Sequence, residues 1–133
     1  PAASIHTTAR DLACFFQMLC NGGTYAGRQY LRPETINQAA ALVYDGPNGA
    51  SGRRIRWASG FVLGGYSEFP DRDIRIMGRG STVHTFGHGG QGGASIAWAD
   101  PATQTVFAFV NNGLQDVLTA QLRFEALADC LWE

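Results

Sequence analysis

Phe86-Gly87-His88-Gly89-Gly90-Gln91-Gly92-Gly93 runs directly into Ala94-Ser95-Ile96-Ala97-Trp98-Ala99-Asp100-Pro101. Five glycines in eight residues leave little side-chain bulk, so a ligand or another chain can approach this backbone closely. His88 stands in the middle of them. Ala94 to Ala99 is strand-like, and Val106 to Asn111 is its match. Asp100-Pro101-Ala102-Thr103-Gln104 between the two reads as a hairpin loop with proline outside the ladder. The stretch therefore predicts an antiparallel sheet with a glycine-rich strand edge against which a substrate can lie.

Further strands are expected on the N-terminal side. Arg56 to Tyr66 carries Trp57, Phe61, Leu63 and Tyr66 with glycines between them, and Asp73 to Met77 and Thr82 to Gly87 are two shorter candidates. On the C-terminal side, Gln115 to Leu131 returns to helix, with Asp116 as cap and Val117, Leu118, Leu122, Phe124, Leu127 and Leu131 apolar. The chain opens with a helix over Ser4 to Asn21. Thr7 or Thr8 caps it, Asp11 lies in its first turn, and Leu12, Phe15, Phe16 and Leu19 form one face. Asn21-Gly22-Gly23 stops it. Gly27 to Leu31 reads as an extended connection. Pro33 opens a second helix that runs to about Val43, and Asp45 to Arg54 reads as a loop rich in turn residues. Helices around consecutive antiparallel strands predict an α+β fold. Residues 1–133 form a single partial domain, with 1–54 mainly helical and loop and 55–133 made of strands plus the last helix.

The bulk properties fit one such domain. The chain has 133 residues, 45% hydrophobic and 16% charged, with a net charge of -1. That balance gives no electrostatic case for nucleic acid or an anionic membrane. No apolar run is long enough to span a bilayer, and no secretory leader is visible. All ten basic residues are arginine, which removes any chemistry needing a lysine base inside these residues. Cys14, Cys20 and Cys130 are an odd set without C-x-x-C spacing. We expect Cys14 and Cys20 to be buried thiols, as in a reducing compartment, without fixing the location.

His88 and its glycines fit a site where backbone N–H groups face a carbonyl oxygen as it gains charge. They equally fit a tight turn whose glycines serve local geometry alone. A phosphate loop would need a lysine, and a dinucleotide fingerprint would open a helix instead of a strand. His84 and His88 have no nearby Cys, Asp or Glu with which to hold a metal, so neither metal nor cofactor is expected. Ser4, Ser51, Ser59, Ser67, Ser81 and Ser95 lack the G-x-S-x-G elbow and any lysine three residues on. Asp71 and Asp73 beside Arg72 and Arg75 read as a solvated charged loop. Trp57 and Trp98 on strands read as core, though either could line a cleft.

Three places together resemble the C-terminal portion of the serine β-lactamase-like superfamily, in its class C β-lactamase, penicillin-binding protein and esterase branch. Thr7-Thr8-Ala9-Arg10-Asp11-Leu12-Ala13-Cys14-Phe15 resembles "S-T-A-x-D-L-A-x-F". Leu31-Arg32-Pro33-Glu34-Thr35 resembles "L-S-P-E-T". Phe86-Gly87-His88-Gly89-Gly90 with Ala99-Asp100-Pro101 resembles "F-G-H-x-G … A-D-P". The resemblance implies the matching part of the β-lactamase/transpeptidase-like fold. It places His88-Gly89-Gly90 at the family's H-x-G motif, with His88 facing substrate and Gln91 giving a backbone oxyanion donor. It also implies a serine in S-x-x-K and a Y-x-N motif ahead of this stretch, neither of which occurs in these residues.

We therefore expect part of a serine hydrolase that transfers an acyl group to water from an ester, a D-amino-acid peptide or a β-lactam. Its partners would be a small acyl substrate and the N-terminal part of the same protein, with self-association through the uncovered sheet. The competing expectation is a non-catalytic remnant of the fold that binds a ligand or a protein.

Overall fold

The computed structural model describes residues 5–49, 51–66, 69, 73 and 75–133. Helix α1 spans Ala9–Cys20. Thr8 caps it in reciprocal fashion: its Oγ1 accepts from the Asp11 N–H at 3.1 Å and donates to Asp11 Oδ2 at 2.9 Å. At the other end the Gly23 N–H reaches the Met18 carbonyl at 2.9 Å, and the Gly22 N–H reaches Leu19 at 3.2 Å. Both glycines have positive φ, as that helix stop requires. The expected start at Ser4 lies outside the described residues. Phe16 and Leu19 are buried as expected, whereas Phe15 turns outward and is exposed.

Thr24–Tyr25 (β1) and Arg28–Gln29 (β2) pair as a small hairpin, where an extended connection was expected. Its two turn residues, Ala26 and Gly27, both take positive φ, which matches the twist of a two-residue hairpin. Helix α2 covers Pro33–Ala39, shorter than the span to Val43. The chain then enters a six-stranded antiparallel meander: β3 (Tyr44–Pro47), β4 (Arg54–Trp57), β5 (Val62–Leu63), β6 (Phe86–Gly89), β7 (Ser95–Asp100) and β8 (Thr105–Val110). Strands β3 and β4 correct the expected loop over Asp45 to Arg54. Asp45 is held by both Arg54 Nε at 2.7 Å and Arg56 Nε at 3.5 Å, and this cross-strand pairing overrides the turn-forming composition. The strand expected over Asp73 to Met77 does not form among the described residues there; Ile76 and Met77 lie in a turn. Helix α3, Val117–Trp132, is capped by Asp116, whose Oδ1 accepts from the Thr119 N–H at 2.9 Å.

The sheet is sandwiched by helices. Residues of β7 alternate between its faces. Ala97 and Ala99 pack with Phe86, Leu63 and the α1 residues Phe16 and Leu19. Ile96 and Trp98 pack with Val62, Met77 and the α3 residues Phe124 and Ala128. Trp98 is fully buried and stacks on Trp132, ring centroids 5.2 Å apart. Several of the apolar residues of α3 are exposed, among them Leu118, Leu122 and Leu131.

A buried polar strut ties the turn before β6 to α3. Arg75 and Glu125 approach at 3.8 Å, and the Arg75 N–H donates to Glu125 Oε2 at 3.2 Å. The Arg75 guanidinium also donates to the Phe69 carbonyl at 2.7 Å. Asp73 and Arg75 are thus buried, not part of a solvated loop; Asp71 and Arg72 lie outside the described residues.

Candidate functional site

The site is the outer end of β6 and the turn that follows. Strand β6 pairs with β7 along its whole length, Phe86↔Ala99 to Gly89↔Ile96, but β5 covers only Phe86 and Gly87. Backbone polarity alternates along an antiparallel strand. The Gly90 N–H donates to the Ser95 carbonyl at 2.7 Å, so even-numbered residues bond toward β7. The Thr85 carbonyl accepts from the Gly64 N–H at 2.8 Å, so odd-numbered residues bond toward β5. Gly89 therefore turns its N–H and C=O to an edge that β5 does not reach. Gln91 then opens a short 3-10 turn, Gln91–Gly93, with its N–H unused within the turn. No other described residue supplies an acceptor for it.

His88 is exposed, and its Nδ1 lies 2.7 Å from the Gly89 carbonyl oxygen. When Nδ1 carries the proton it donates to that carbonyl, and Nε2 is left as an acceptor facing outward. The ring lies beside Trp57, centroids 5.7 Å apart. A cavity of about 270 Å³ adjoins these residues, lined by Trp57, Val62, His88, the backbone from Gly89 to Gly93, Val117 and Phe124. Trp57 is thus half-buried at the site, while Trp98 is core. The sequence left open that Trp57 lines a cleft but carried no sign of Val117; the cavity is lined by residues of β4, β5, β6 and α3 together.

The five glycines divide by cause. A Cβ on Gly87 would come within 2.6 Å of the Trp98 Cα and closer still to the Ala97 carbonyl oxygen, so β7 excludes any side chain there. Gly92 and Gly93 have positive φ, and a Cβ on Gly93 would overlap the Ala120 Cβ of α3. A Cβ on Gly90 would meet Ser95 Oγ at 2.5 Å. Gly87, Gly92 and Gly93 serve local geometry, whereas at Gly90 a rotation of the Ser95 hydroxyl relieves the contact and the next neighbours lie at 3.5 Å or more. Gly89 differs: a Cβ there would find only ordinary contacts at 3.8 Å, to Phe124 and the Ser95 carbonyl.

Among the described residues no group of three or more His, Cys, Asp or Glu could hold a metal, and no helix is long and apolar enough to cross a membrane. Of the serines, Ser81 is buried and Ser95 half-buried; Ser4 and Ser67 lie outside the described residues. Cys20 is buried, and burial together with the nearby Asp100 charge pushes its thiol above the ordinary range. Cys14 is only half-buried and accepts a hydrogen bond from the Tyr25 hydroxyl at 3.1 Å. Asp100 anchors the base of β6. Burial raises its carboxyl pKa, but hydrogen bonds from Thr85, Thr82 and the Ala102 N–H outweigh that and hold it below the ordinary carboxylate range.

Known proteins carry the same architecture. The structure is similar to a penicillin-binding protein homolog from Caulobacter crescentus, with a TM-score of 0.66 and 30% identity over 87% of this chain and 30% of that one. It shares its fold with a family VIII carboxylesterase at a TM-score of 0.55 and 23% identity, covering 85% of this chain and 30% of that one. In sequence, the chain is 33% identical over 114 residues to the Esterase/beta-lactamase LipL of Mycobacterium tuberculosis. That match covers 86% of this chain and 24% of the relative, so the chain spans about a quarter of the curated protein it matches. The beta-lactamase family profile matches residues 1–129. The chain, with its helix-flanked antiparallel sheet, belongs to the beta-lactamase family.

Proposed function

We propose that this chain supplies the H-x-G strand of a serine acyl-transfer site. The observation that carries the reading is the bare outer edge of β6, where Gly89 and Gln91 present N–H groups past the end of β5. A carbonyl-bearing substrate lies along that edge, over Gly89 and Gly90. The Gln91 N–H donates to the carbonyl oxygen as it becomes an oxyanion, and His88 faces the substrate from the same strand. The serine nucleophile and its base come from S-x-x-K and Y-x-N motifs outside these residues. The substrate is an ester, a D-amino-acid peptide or a β-lactam. A second reading, a remnant that binds a small ligand without chemistry, draws on the adjoining cavity of about 270 Å³.

The test is made on the longest translated form that contains these residues. Hydrolysis of a nitrophenyl ester and of a chromogenic cephalosporin is followed for wild type and His88→Ala. Loss of about a hundredfold in kcat/KM with the fold retained supports the reading. Wild-type rates remove His88 from the site. The 133-residue chain itself is exposed to a fluorophosphonate and weighed intact. No adduct is expected; an adduct would place a reactive serine within these residues and overturn the division of labour.

A further inference from the structure

The turn that carries the Gln91 N–H is held from behind by two side chains, Arg123 closely and Asn111 at longer range. Arg123 of α3 donates through an Nη to the Gly93 carbonyl at 2.7 Å, and Asn111 Nδ2 approaches the same oxygen at 3.4 Å. The Arg123 guanidinium is stacked on two rings, 5.0 Å from the Phe109 centroid and 5.5 Å from that of Phe124. Its Nε is buried with no hydrogen-bond partner, and no carboxylate among the described residues pairs with it. The guanidinium is half-buried, and its charge is met by the Gly93 carbonyl and by the faces of the two rings.

We infer that Arg123 is a positioning residue that sets the direction of the Gln91 N–H. The linkage is mechanical. Arg123 fixes the Gly93 carbonyl, and hence the position of Gly93. The Gly93 N–H donates to the Gly90 carbonyl at 3.3 Å. That carbonyl and the Gln91 N–H belong to one planar peptide and point in opposite directions. Pinning the carbonyl into the turn therefore aims the N–H out of it. Two further bonds brace the same unit: the Gln115 N–H reaches the Gly92 carbonyl at 2.9 Å, and the Asn111 N–H reaches Ala94 at 2.8 Å. Gly92 and Gly93 both sit at positive φ, which glycine reaches without strain, so the bonds made to the turn select this conformation among those open to it. Arg123 reaches the turn from thirty residues away, so α3 braces the turn as well as covering the sheet. The inference rests on the proposed role of Gln91 for its functional meaning, while the clamp itself is a statement about the turn.

Amide hydrogen exchange and nitrogen-15 shifts of the 133-residue chain test it, in wild type, Arg123→Met and Arg123→Lys. Methionine keeps the apolar stem and removes both donor and charge. Exchange at Gly93 and Gln115 is expected to quicken about tenfold in Arg123→Met, while Ala97, Trp98 and Phe107 keep wild-type protection. The Gln91 amide shift should move with it, and Arg123→Lys should restore part of both. Uniform loss of protection across the sheet, or no change at the turn, overturns the inference, since Arg123 would then be packing alone. Should Arg123→Met loosen the turn while ester turnover in the longer form stays at wild type, the clamp stands and the oxyanion reading of Gln91 falls.

Discussion

Alanine at Gly87 and alanine at Gly89 should have opposite effects, although the two glycines sit two residues apart on one strand. At Gly87 the added Cβ meets the Trp98 Cα at 2.6 Å and overlaps the Ala97 carbonyl oxygen. Both neighbours are backbone of β7, in the middle of the ladder, and neither can rotate away. Overpacking of this kind costs about 1–3 kcal/mol, at the upper end where backbone must shift. Replacing a strand glycine recovers roughly 0.5–1 kcal/mol of chain entropy. The net expectation for Gly87→Ala is a loss of about 2 kcal/mol; with a urea slope of about 1–3 kcal/mol per molar, the unfolding midpoint falls by about 1 M. Gly89→Ala meets nothing closer than 3.8 Å, so it should keep or slightly raise the midpoint. Tryptophan fluorescence reports the transition, because Trp98 is fully buried beside Gly87. Equal midpoints for the two variants, or a wild-type midpoint for Gly87→Ala, would refute the division of the glycines by cause. If Gly89→Ala folds well yet loses ester turnover in the longer form, Gly89 is kept small for the ligand.

Asp100 makes stability fall in acid. Its carboxyl pKa is depressed in the folded state, so its contribution is present above the ordinary carboxylate value of about 4 and is lost as pH falls through the lower folded value. Urea midpoints measured from pH 7 down to pH 3 should show this drop, and Asp100→Asn should flatten it while costing about 1–3 kcal/mol at pH 7. Weakening the buried strut by Glu125→Gln, which removes the charge that Arg75 and Arg79 both approach, should destabilise by about 1–3 kcal/mol; a loss within about 0.5 kcal/mol would show that the pair is not structural. Maleimide labelling of the native chain, followed by peptide mass spectrometry, should mark the exposed Cys130 first, the half-buried Cys14 more slowly and the buried Cys20 last.

Much of this was legible from local chemistry. Thr8 and Asp116 announce the starts of α1 and α3 because a short polar side chain ahead of an apolar run serves little else there. The β7–β8 hairpin follows from two apolar runs around Asp100-Pro101. Two of the errors come from pairing with residues that leave no trace at the position itself. Asp45, Gly46 and Pro47 look like a turn until Arg54 and Arg56 supply the cross-strand charges that make them a strand. Arg75 and Glu125 are fifty residues apart, so nothing near either foretells a buried pair. The glycine run posed two alternatives that spacing left open. The structure divides them position by position: Gly87, Gly92 and Gly93 answer to their neighbours, Gly90 meets only a rotatable serine hydroxyl, and Gly89 meets ordinary contacts alone. Trp57 was legible only as one of two tryptophans that could line a cleft, and Arg123 has no sequence signal for its place, because it reaches the turn from another element.

The two margins of the sheet are unequal, and this gives the sheet a direction of growth. At one margin, β3 packs a charge, a glycine and a proline into four residues, Tyr44–Pro47, so an incoming strand would find a short, irregular template. At the other, β8 offers Thr105-Val106-Phe107-Ala108-Phe109-Val110, six residues with no charge and no proline. At β8 an arriving strand would meet neither charge nor proline, so this margin is less guarded against edge pairing than β3.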